Sequence, residues 1–560
     1  MKKIHSKLTP TENNLFILFI GFLIIYLLPG IYGHTPWKQD ENYSFGIIQT
    51  MFESGNWLIP TNAGEPFMEK PPLYYWVATI MSHLFSDVMP LYDAARCATL
   101  FFSIINFLFF LLLARRAFNA TSFEDKRIWI ALALYACSPG ILRHSHDMFT
   151  DVALMAGATI GLYGILGLIQ QQQIRMSALW LALGTVITML SKGAFVPGVL
   201  WISLLLTPIF HPQCRQKTFW FPIIMAGSAA LILILPWPIL LYHQQPELFM
   251  AWLWENNIGR FSGFSVEKLG AKANLTRIPA AVIFFALPSG ILAVIYFLKK
   301  PLQTLHSTNE YLLVMFPLLA IIILQISATG RALYLLPFIA PFAILGTQTL
   351  LSIPEKSLRL FSSFATVFWS ILIIFLWVCY FIALSGYTET WLFPFSRWLP
   401  MNYQMPFSVI AITCAAALTI IWFLRNRLLS TQIAVHAIQN WALGMCIVWG
   451  IMSTLFLSWI DYTKGFESVF VDLNKQLDGL YHANDCMASY DIGESEAPML
   501  YYYTKILHQR QKYFAKPQQC RWLIVLSKQI EPAPQGMALF WTNHRPLQLN
   551  ENLVVYKNIE

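Results

Sequence analysis

The chain has 560 residues, of which 56% are hydrophobic, 15% aromatic and only 12% charged, against about 25% charged in soluble domains. So little charge cannot cover a water-facing surface, which excludes a soluble enzyme, a disordered scaffold and a disulfide-rich secreted domain and leaves a chain that mostly meets lipid. The formal net charge of +8 is scattered rather than gathered into a patch, so it reads as basic membrane loops and not as a nucleic-acid surface.

Lys2, Lys3 and Lys7 precede an apolar run from Leu15 to Tyr32. No small-residue cleavage site follows it, so the run is expected to stay as a signal anchor. Further apolar runs fall at 97–114, 128–142, 152–169, 177–190, 194–210, 220–241, 278–298, 311–326, 332–352, 360–386, 405–424 and 433–460, which makes thirteen candidate spans at about 20 residues per crossing. With the N-terminus in the cytoplasm and strict alternation, the short inner loops hold Arg115, Arg116, Lys126 and Arg127; Arg175; Arg215 and Lys217; Lys299 and Lys300; Lys356 and Arg359; and Arg425 and Arg427. Each is basic, as the positive-inside rule requires. Leu73–Met89 is apolar enough to be a span, but counting it would invert every later helix. It is therefore read as interfacial or re-entrant. The pair 177–190 and 194–210, broken at Ser191-Lys192-Gly193, counts as two spans for the same reason.

Three larger pieces then lie outside: the first loop at 33–96, a second loop at 242–277, and a tail at 462–560 of ordinary soluble composition. The tail alternates strand-like runs (Cys486–Tyr490, Trp522–Leu526, Ala538–Trp541, Leu553–Tyr556) with a helix-like stretch over Pro498–Leu507. The predicted architecture is an all-α polytopic membrane unit at 1–461, with interfacial helices in its first loop, followed by a small α/β domain at 462–560. None of the eight cysteines has zinc-ligand spacing. In an oxidising compartment Cys486 and Cys520 could pair.

The unusual polar residues fall on that outer side. Asp40 and Glu41 follow the first span, and Glu69-Lys70-Pro71-Pro72 precede the interfacial helix. Arg143, His144, His146, Asp147 and Asp151 lie between the third and fourth spans, and Lys192 sits in the outer break. His243, Glu255 and Arg260 occupy the second loop, and Arg331 and Tyr334 begin the tenth span. Ionisable groups at helix mouths tend to line a wet cavity, because drawing them into the core costs about 2.5–3.5 kcal/mol each on insertion scales. A cleft at the outer surface is the functional reading. Each residue also has a plainer one. Asp40-Glu41 would serve equally as a solvated pair at a helix start, and Lys70 as an interfacial anchor. His144 and His146 read as loop residues, Asp151 as a helix cap, and His243 as a boundary residue.

Together these residues carry a resemblance. An acidic pair after the first span, then Glu69-Lys70-Pro71-Pro72-Leu73-Tyr74-Tyr75-Trp76, resembles the bacterial branch of the GT-C membrane glycosyltransferases, which includes protein O-mannosyltransferase relatives and the aminoarabinose transferase of lipid A. Phe149-Thr150-Asp151, Leu190-Ser191-Lys192-Gly193, the stretch Trp254 to Phe261 and the stretch Thr329 to Pro337 follow in the family's order, over residues 1 to about 345. Asn256 stands where the lipid A enzymes usually carry a histidine.

The resemblance implies an inverting single displacement of a sugar from a polyprenyl-phosphate donor. Lys70, Arg331, Tyr334 and Arg260 would stabilise the departing phosphate. Asp40 would act as general base, with Glu41 and Asp151 as further catalytic carboxylates and Glu69, Lys192 and Glu255 in support. The acceptor would be lipid A or another envelope glycan or protein, and the site would face the periplasm of the inner membrane. No cofactor is demanded; a divalent metal would draw on Glu69, His144, His146 and His243, whose spacing does not itself call for one. The rival classes are a transporter or lipid flippase, and a noncatalytic envelope subunit. A transporter would bury its charges near the midplane and often show inverted repeats, whereas here the acids cluster at one face and no repeat is found.

Overall fold

The computed structural model describes residues 10–37, 39–264, 277–327, 330–386, 403–511, 520–548 and 550–559. The anchor lysines Lys2, Lys3 and Lys7, residues 265–276 of the second loop, and Thr329 lie outside the described residues.

The apolar run near the N-terminus forms α1 (Pro10–Leu27), and α2 (Gln39–Ser54) opens with Asp40 and Glu41 in its first turn, where carboxylates favour the helix dipole. A short hairpin, β1 (Thr61–Asn62) with β2 (Glu65–Pro66), follows. After Pro71-Pro72 comes α3 (Leu73–Phe85), 13 residues long. That is about 20 Å of helix, too short to cross a bilayer alone. Next come α4 (Leu91–Ala117), α5 (Lys126–Ala136), α6 (Pro139–His144), α7 (Thr150–Ile169), α8 (Ile174–Lys192) and α9 (Phe195–Leu205).

Almost wholly buried, α7 is the axis of the bundle. Its glycines let α8 approach closely: a Cβ at Gly184 would run into the backbone of Gly161. Small residues at helix crossings are how membrane bundles gain packing without a hydrophobic drive.

Every one of the thirteen candidate spans contains helix, but the count of thirteen is not confirmed. Among the described residues eight helices are long and apolar enough to cross a membrane. A ninth is reached only if the pair Ile278–Phe284 and Ser289–Lys299, bent by 107°, counts as one. The candidate span 278–298 is two helices, with the turn between Phe284 and Ser289; Pro288 in that turn lacks the amide a continuing helix needs. Asn14–Leu27, Phe195–Phe210 and Tyr311–Ile326 are apolar but shorter. Lys126–Ala136, which overlaps the candidate at 128–142, has only 11 residues.

In the tail a helix at Glu467–Leu477 precedes β3 (Met487–Tyr490), and a second helix at Glu496–Thr504 precedes β4 (His508–Arg510). Then follow β5 (Trp522–Ser527), β6 (Met537–His544) and β7 (Asn552–Asn558). They form one sheet in the order β4-β3-β5-β7-β6, parallel across β4-β3-β5 and antiparallel across β5-β7-β6. The four expected strands are all present, while β4 and the helix at 467–477 were not foreseen. Cys486 and Cys520 are joined in a disulfide, with Cα atoms 5.0 Å apart. Phe466, Val469, Phe470 and Leu473 belong to the same hydrophobic core as Phe45 and Ile48 of α2, so the tail is seated on the first loop.

Candidate active site

Neighbouring residues on a helix point about 100° apart, and at the start of α2 this separates the acidic pair. Asp40 stays at the surface, its side chain 45% exposed, with Oδ1 accepting from the Tyr43 hydroxyl at 2.6 Å. Glu41 turns inward and is buried. It lies 3.7 Å from Arg96 Nε and accepts from the Met148 amide at 3.1 Å. Arg96, itself fully buried, donates to the backbone carbonyls of His34 and Thr35 and to Asp93. Glu41 therefore braces α2 against α4 and the turn before α7. The expectation that it works in the cleft beside Asp40 is corrected: the helical turn points it the other way.

Tyr43, one turn beyond Asp40, carries the link to Lys70. Two prolines follow Lys70 and keep the backbone extended at its exit, and its ammonium is buried against Tyr43. Nζ donates to the Tyr43 hydroxyl and lies 4.5 Å from that ring's centroid. It is 3.8 Å from Asp40 Oδ1 and 4.0 Å from Glu69 Oε1. Glu69 in turn takes Arg260 by both oxygens, at 2.9 Å each, a fork that only arginine offers. Burial by itself would raise the Glu69 carboxyl, but Lys70 and Arg260 outweigh it and hold it down at about 2.

A second ion pair closes the other wall. Asp151, in the first turn of α7, is fully buried, and Lys192 Nζ reaches its two oxygens at 2.5 and 2.6 Å. The same ammonium lies 4.7 Å from the centre of the Tyr334 ring. α8 ends immediately after Lys192 because Gly193 takes φ 90°, ψ −159°, a region open in practice only to glycine. A Cβ there would also collide with the Asn257 side chain, so Gly193 admits the second loop against the end of α8.

These elements enclose a cavity of about 420 Å³. One end is polar, made by Glu69, Lys70, Lys192, Asn257, Arg260 and Tyr334. The rest is apolar, from Phe195, Val199 and Ile202 on α9 and from Ile323 and Leu324 on the helix Tyr311–Ile326. Chemically it can hold an anion against three cations while an alkyl chain runs between two helices of the bundle.

The structure thus gathers Asp40, Glu69, Lys70, Asp151, Lys192, Arg260 and Tyr334, and leaves others aside. Arg331 is exposed just ahead of the turn Ala332–Phe338 and does not line the cavity. Glu255 sits on the π-helical stretch Ala251–Gly259, on a neighbouring surface hollow. The candidate metal ligands stay apart. His144 Nδ1 pairs with Asp147 at 2.7 Å, both His146 nitrogens meet the carbonyls of Leu142 and Tyr26, and His243 is exposed. Among the described residues no three His, Cys, Asp or Glu side chains come together in a way that could hold a metal.

Sequence reasoning missed Tyr43, Asn257 and Glu494. Tyr43 had a signal, since residues i and i+3 share a helix face. Glu494 had none: the tail loop brings it over the first loop, where it accepts from Gln39 at 2.7 Å. Burial, and next the charge of Glu69, push its carboxyl up.

No protein-family model matches the chain. In sequence it is 28% identical over 355 residues to undecaprenyl phosphate-alpha-4-amino-4-deoxy-L-arabinose arabinosyl transferase 1 of Pseudomonas fluorescens, over 60% of this chain and 59% of that protein. It is 25% identical over 339 residues to the transferase of the same activity from Yersinia enterocolitica, over 59% and 58%. The chain thus spans about three fifths of the length of the curated relatives it matches. In structure it is similar to ArnT from Cupriavidus metallidurans bound to undecaprenyl phosphate, with a TM-score of 0.68, 14% identity, and 97% of this chain and 98% of that chain covered. At that identity the likeness shows the fold alone: a polytopic helical membrane protein with a small C-terminal sheet domain.

Proposed function

We propose that the protein is a membrane glycosyltransferase that moves a sugar from a polyprenyl-phosphate donor to lipid A, with 4-amino-4-deoxy-L-arabinose, the sugar in its relatives' names, as the group transferred. The observation that carries the reading is the cavity's two-part lining, three cations at one end and an apolar groove at the other. A lipid phosphate needs both at once. In this reading residues 1–461 form the catalytic membrane unit, residues 462–560 form a periplasmic domain, and the site opens at the periplasmic face of the inner membrane, with the N-terminus in the cytoplasm.

The cluster is balanced in charge: Lys70, Lys192 and Arg260 face Asp40, Glu69 and Asp151. Lys70 is the cation best placed to take the phosphate. Its carboxylate neighbours at 3.8 and 4.0 Å lie beyond hydrogen-bond range, so two of its three protons remain to be given. Arg260 uses Nη1 and Nη2 on Glu69 and supports from beside it. As the bond between the sugar and the phosphate breaks, negative charge grows on the leaving oxygen, and these fixed donors stabilise it without reorganising.

Asp40 Oδ2 makes no hydrogen bond among the described residues, and its half-exposed position leaves it open to an acceptor. It takes the proton of an attacking hydroxyl. Where the acceptor is a phosphate, already ionised, Asp40 orients it instead. Asp151 is engaged by Lys192 and holds that cation in register. The acceptor's attack opposite the departing phosphate gives inversion.

The test is mass spectrometry of envelope lipids from cells carrying the wild type or Asp40→Asn. The expected result is loss of the aminoarabinose mass from lipid A. The same loss from a polysaccharide or a protein would replace the acceptor, and unchanged glycans throughout would overturn the reading.

A further inference from the structure

A second polar cavity, about 750 Å³, lies at the opposite end of the bundle. α4 has 27 residues, so about 40 Å of helix separates its active-site end from the end that carries Arg115 and Arg116. The cavity opens between that end and the α7–α8 turn, and its walls include Leu112, Arg115, Arg116, Asn119, Tyr163 and Gln173.

Arg116 is only 9% exposed. Its guanidinium lies 3.7 Å from the centre of the Tyr163 ring, and Nη1 donates to the Tyr163 carbonyl at 2.7 Å. Gly167 leaves the space this requires, since a Cβ there would strike the guanidinium. Arg115 donates from Nε and Nη2 to the carbonyls of Ala120 and Thr121. Among the described residues neither arginine is paired with a carboxylate, and Nε and Nη2 of Arg116 make no hydrogen bond. Arg127, close by in sequence, shows the contrast: it holds Asp125 at 2.6 Å.

Two guanidinium groups in one recess, one of them buried, are costly unless an anion completes them. The rim says how the anion arrives. α8 leaves the turn with Ile174, Met176 and Leu179 exposed by 40%, 46% and 46%, and Leu112 stands on the cavity wall. Apolar surface beside paired arginines at a helix end fits a phosphate that carries acyl chains.

We propose that this cavity binds the phosphodiester headgroup of an anionic phospholipid, held by Arg115 and Arg116, in the leaflet opposite the candidate active site. The site stands independently of the proposed transferase activity. In the sequence these basic end residues read as orientation signals; in the fold they converge on one cavity with no carboxylate partner among the described residues.

The experiment uses the full chain purified in detergent, with lipid adducts counted by native mass spectrometry. Wild type is expected to retain phosphatidylglycerol over phosphatidylcholine by about tenfold, the scale of one charged hydrogen bond. Arg115→Gln with Arg116→Gln should abolish that preference, and the exposed-site control Arg359→Gln should keep it. Circular dichroism checks the fold. If the double variant does not fold, Arg115→Gln alone is measured and must reduce the preference by about threefold or more. Equal retention of both lipids by wild type, or a preference untouched in the variants, overturns the proposal. So does inorganic phosphate that displaces the lipid at equal concentration, which would assign the site to a free phosphate.

Discussion

Lys192 has two readings that one experiment separates. It lines the cavity, where a cation would serve a lipid phosphate, and it holds Asp151 at 2.5 and 2.6 Å, where it would merely neutralise a buried acid. Asp151 is 0% exposed, so Lys192→Met strands a charge with no water to receive it, at a cost of about 3–5 kcal/mol. Asp151→Asn strands Lys192 instead, whose side chain is 16% exposed and can turn into the cavity, so its cost should be smaller. The pair Asp151→Asn with Lys192→Met removes both charges and should recover stability to within about 1 kcal/mol, because coupled neighbours are not additive. Stability is read as the fraction of protein that stays monodisperse in detergent after a heat challenge. Transfer, measured as the sugar mass added to lipid A, should stay about 10²- to 10³-fold low in the double variant, the usual loss for one preorganised charge-stabilising donor. A double variant that recovers transfer along with stability would refute the catalytic role and leave Lys192 as Asp151's counter-ion.

Gly193→Ala should lower the unfolding midpoint, because its φ and ψ cost a side-chain residue about 1–3 kcal/mol. It should also weaken polyprenyl-phosphate binding by calorimetry, since Asn257 must retreat and Arg260 lies one turn further on; an unchanged binding constant would sink this link. The Glu69 carboxyl is held at about 2 against an ordinary 4.5, so the stability it contributes is fully present above 4.5 and is lost as pH falls from there towards 2. Glu69→Gln should therefore lower the midpoint at pH 7 and leave it nearly unchanged near pH 2; an equal loss at both would refute it.

The sequence carried the fold further than it carried the site. Apolar runs are long, so the presence of helix in each could be read, though not its exact bounds. Whether one apolar run is one crossing could not be read, because the helices within 278–298 meet at 107° across the break between Phe284 and Ser289. The motifs name Lys70, Asp151, Lys192, Arg260 and Tyr334, which the fold brings near one another, and three of them stand at breaks that the sequence shows: two prolines after Lys70, the start of a helix at Asp151, a glycine stop after Lys192. Asp40 reads as the general base, but that Glu41 turns inward away from it is not legible, because this depends on Arg96, 55 positions beyond Glu41 and invisible as a partner. By motif Arg331 ranks ahead of Arg260 for the phosphate; the carboxylate of Glu69 draws Arg260 into the cavity wall, while Arg331 is exposed and outside it.

The position of the tail explains why Asp40 is where it is. Asp40 lies in the first turn of α2, where a helix frays most readily, and α2 itself leaves the membrane bundle. Gln39 reaches Glu494, and Asn42 reaches Ser495 at 2.7 Å, so tail residues take the side chains on both sides of Asp40-Glu41. At the far end of α2, Glu53 accepts from Tyr501 at 2.6 Å and pairs with Lys505 at 2.9 Å. Arg510 forks onto Glu65 of the hairpin that precedes Lys70. Exposed pairs of this kind contribute about 0–1 kcal/mol each, too little to hold a helix alone. Beneath them, however, Pro498 packs against the Gly46 backbone, where a Cβ would collide with it, and Phe45 and Ile48 enter the core that also holds Phe470 and Leu473. The apolar seat supplies the energy and the polar contacts supply the register. With Asp40 on α2 and Lys192 on the bundle, the tail keeps the proposed base and the proposed phosphate-binding cations in reach of each other.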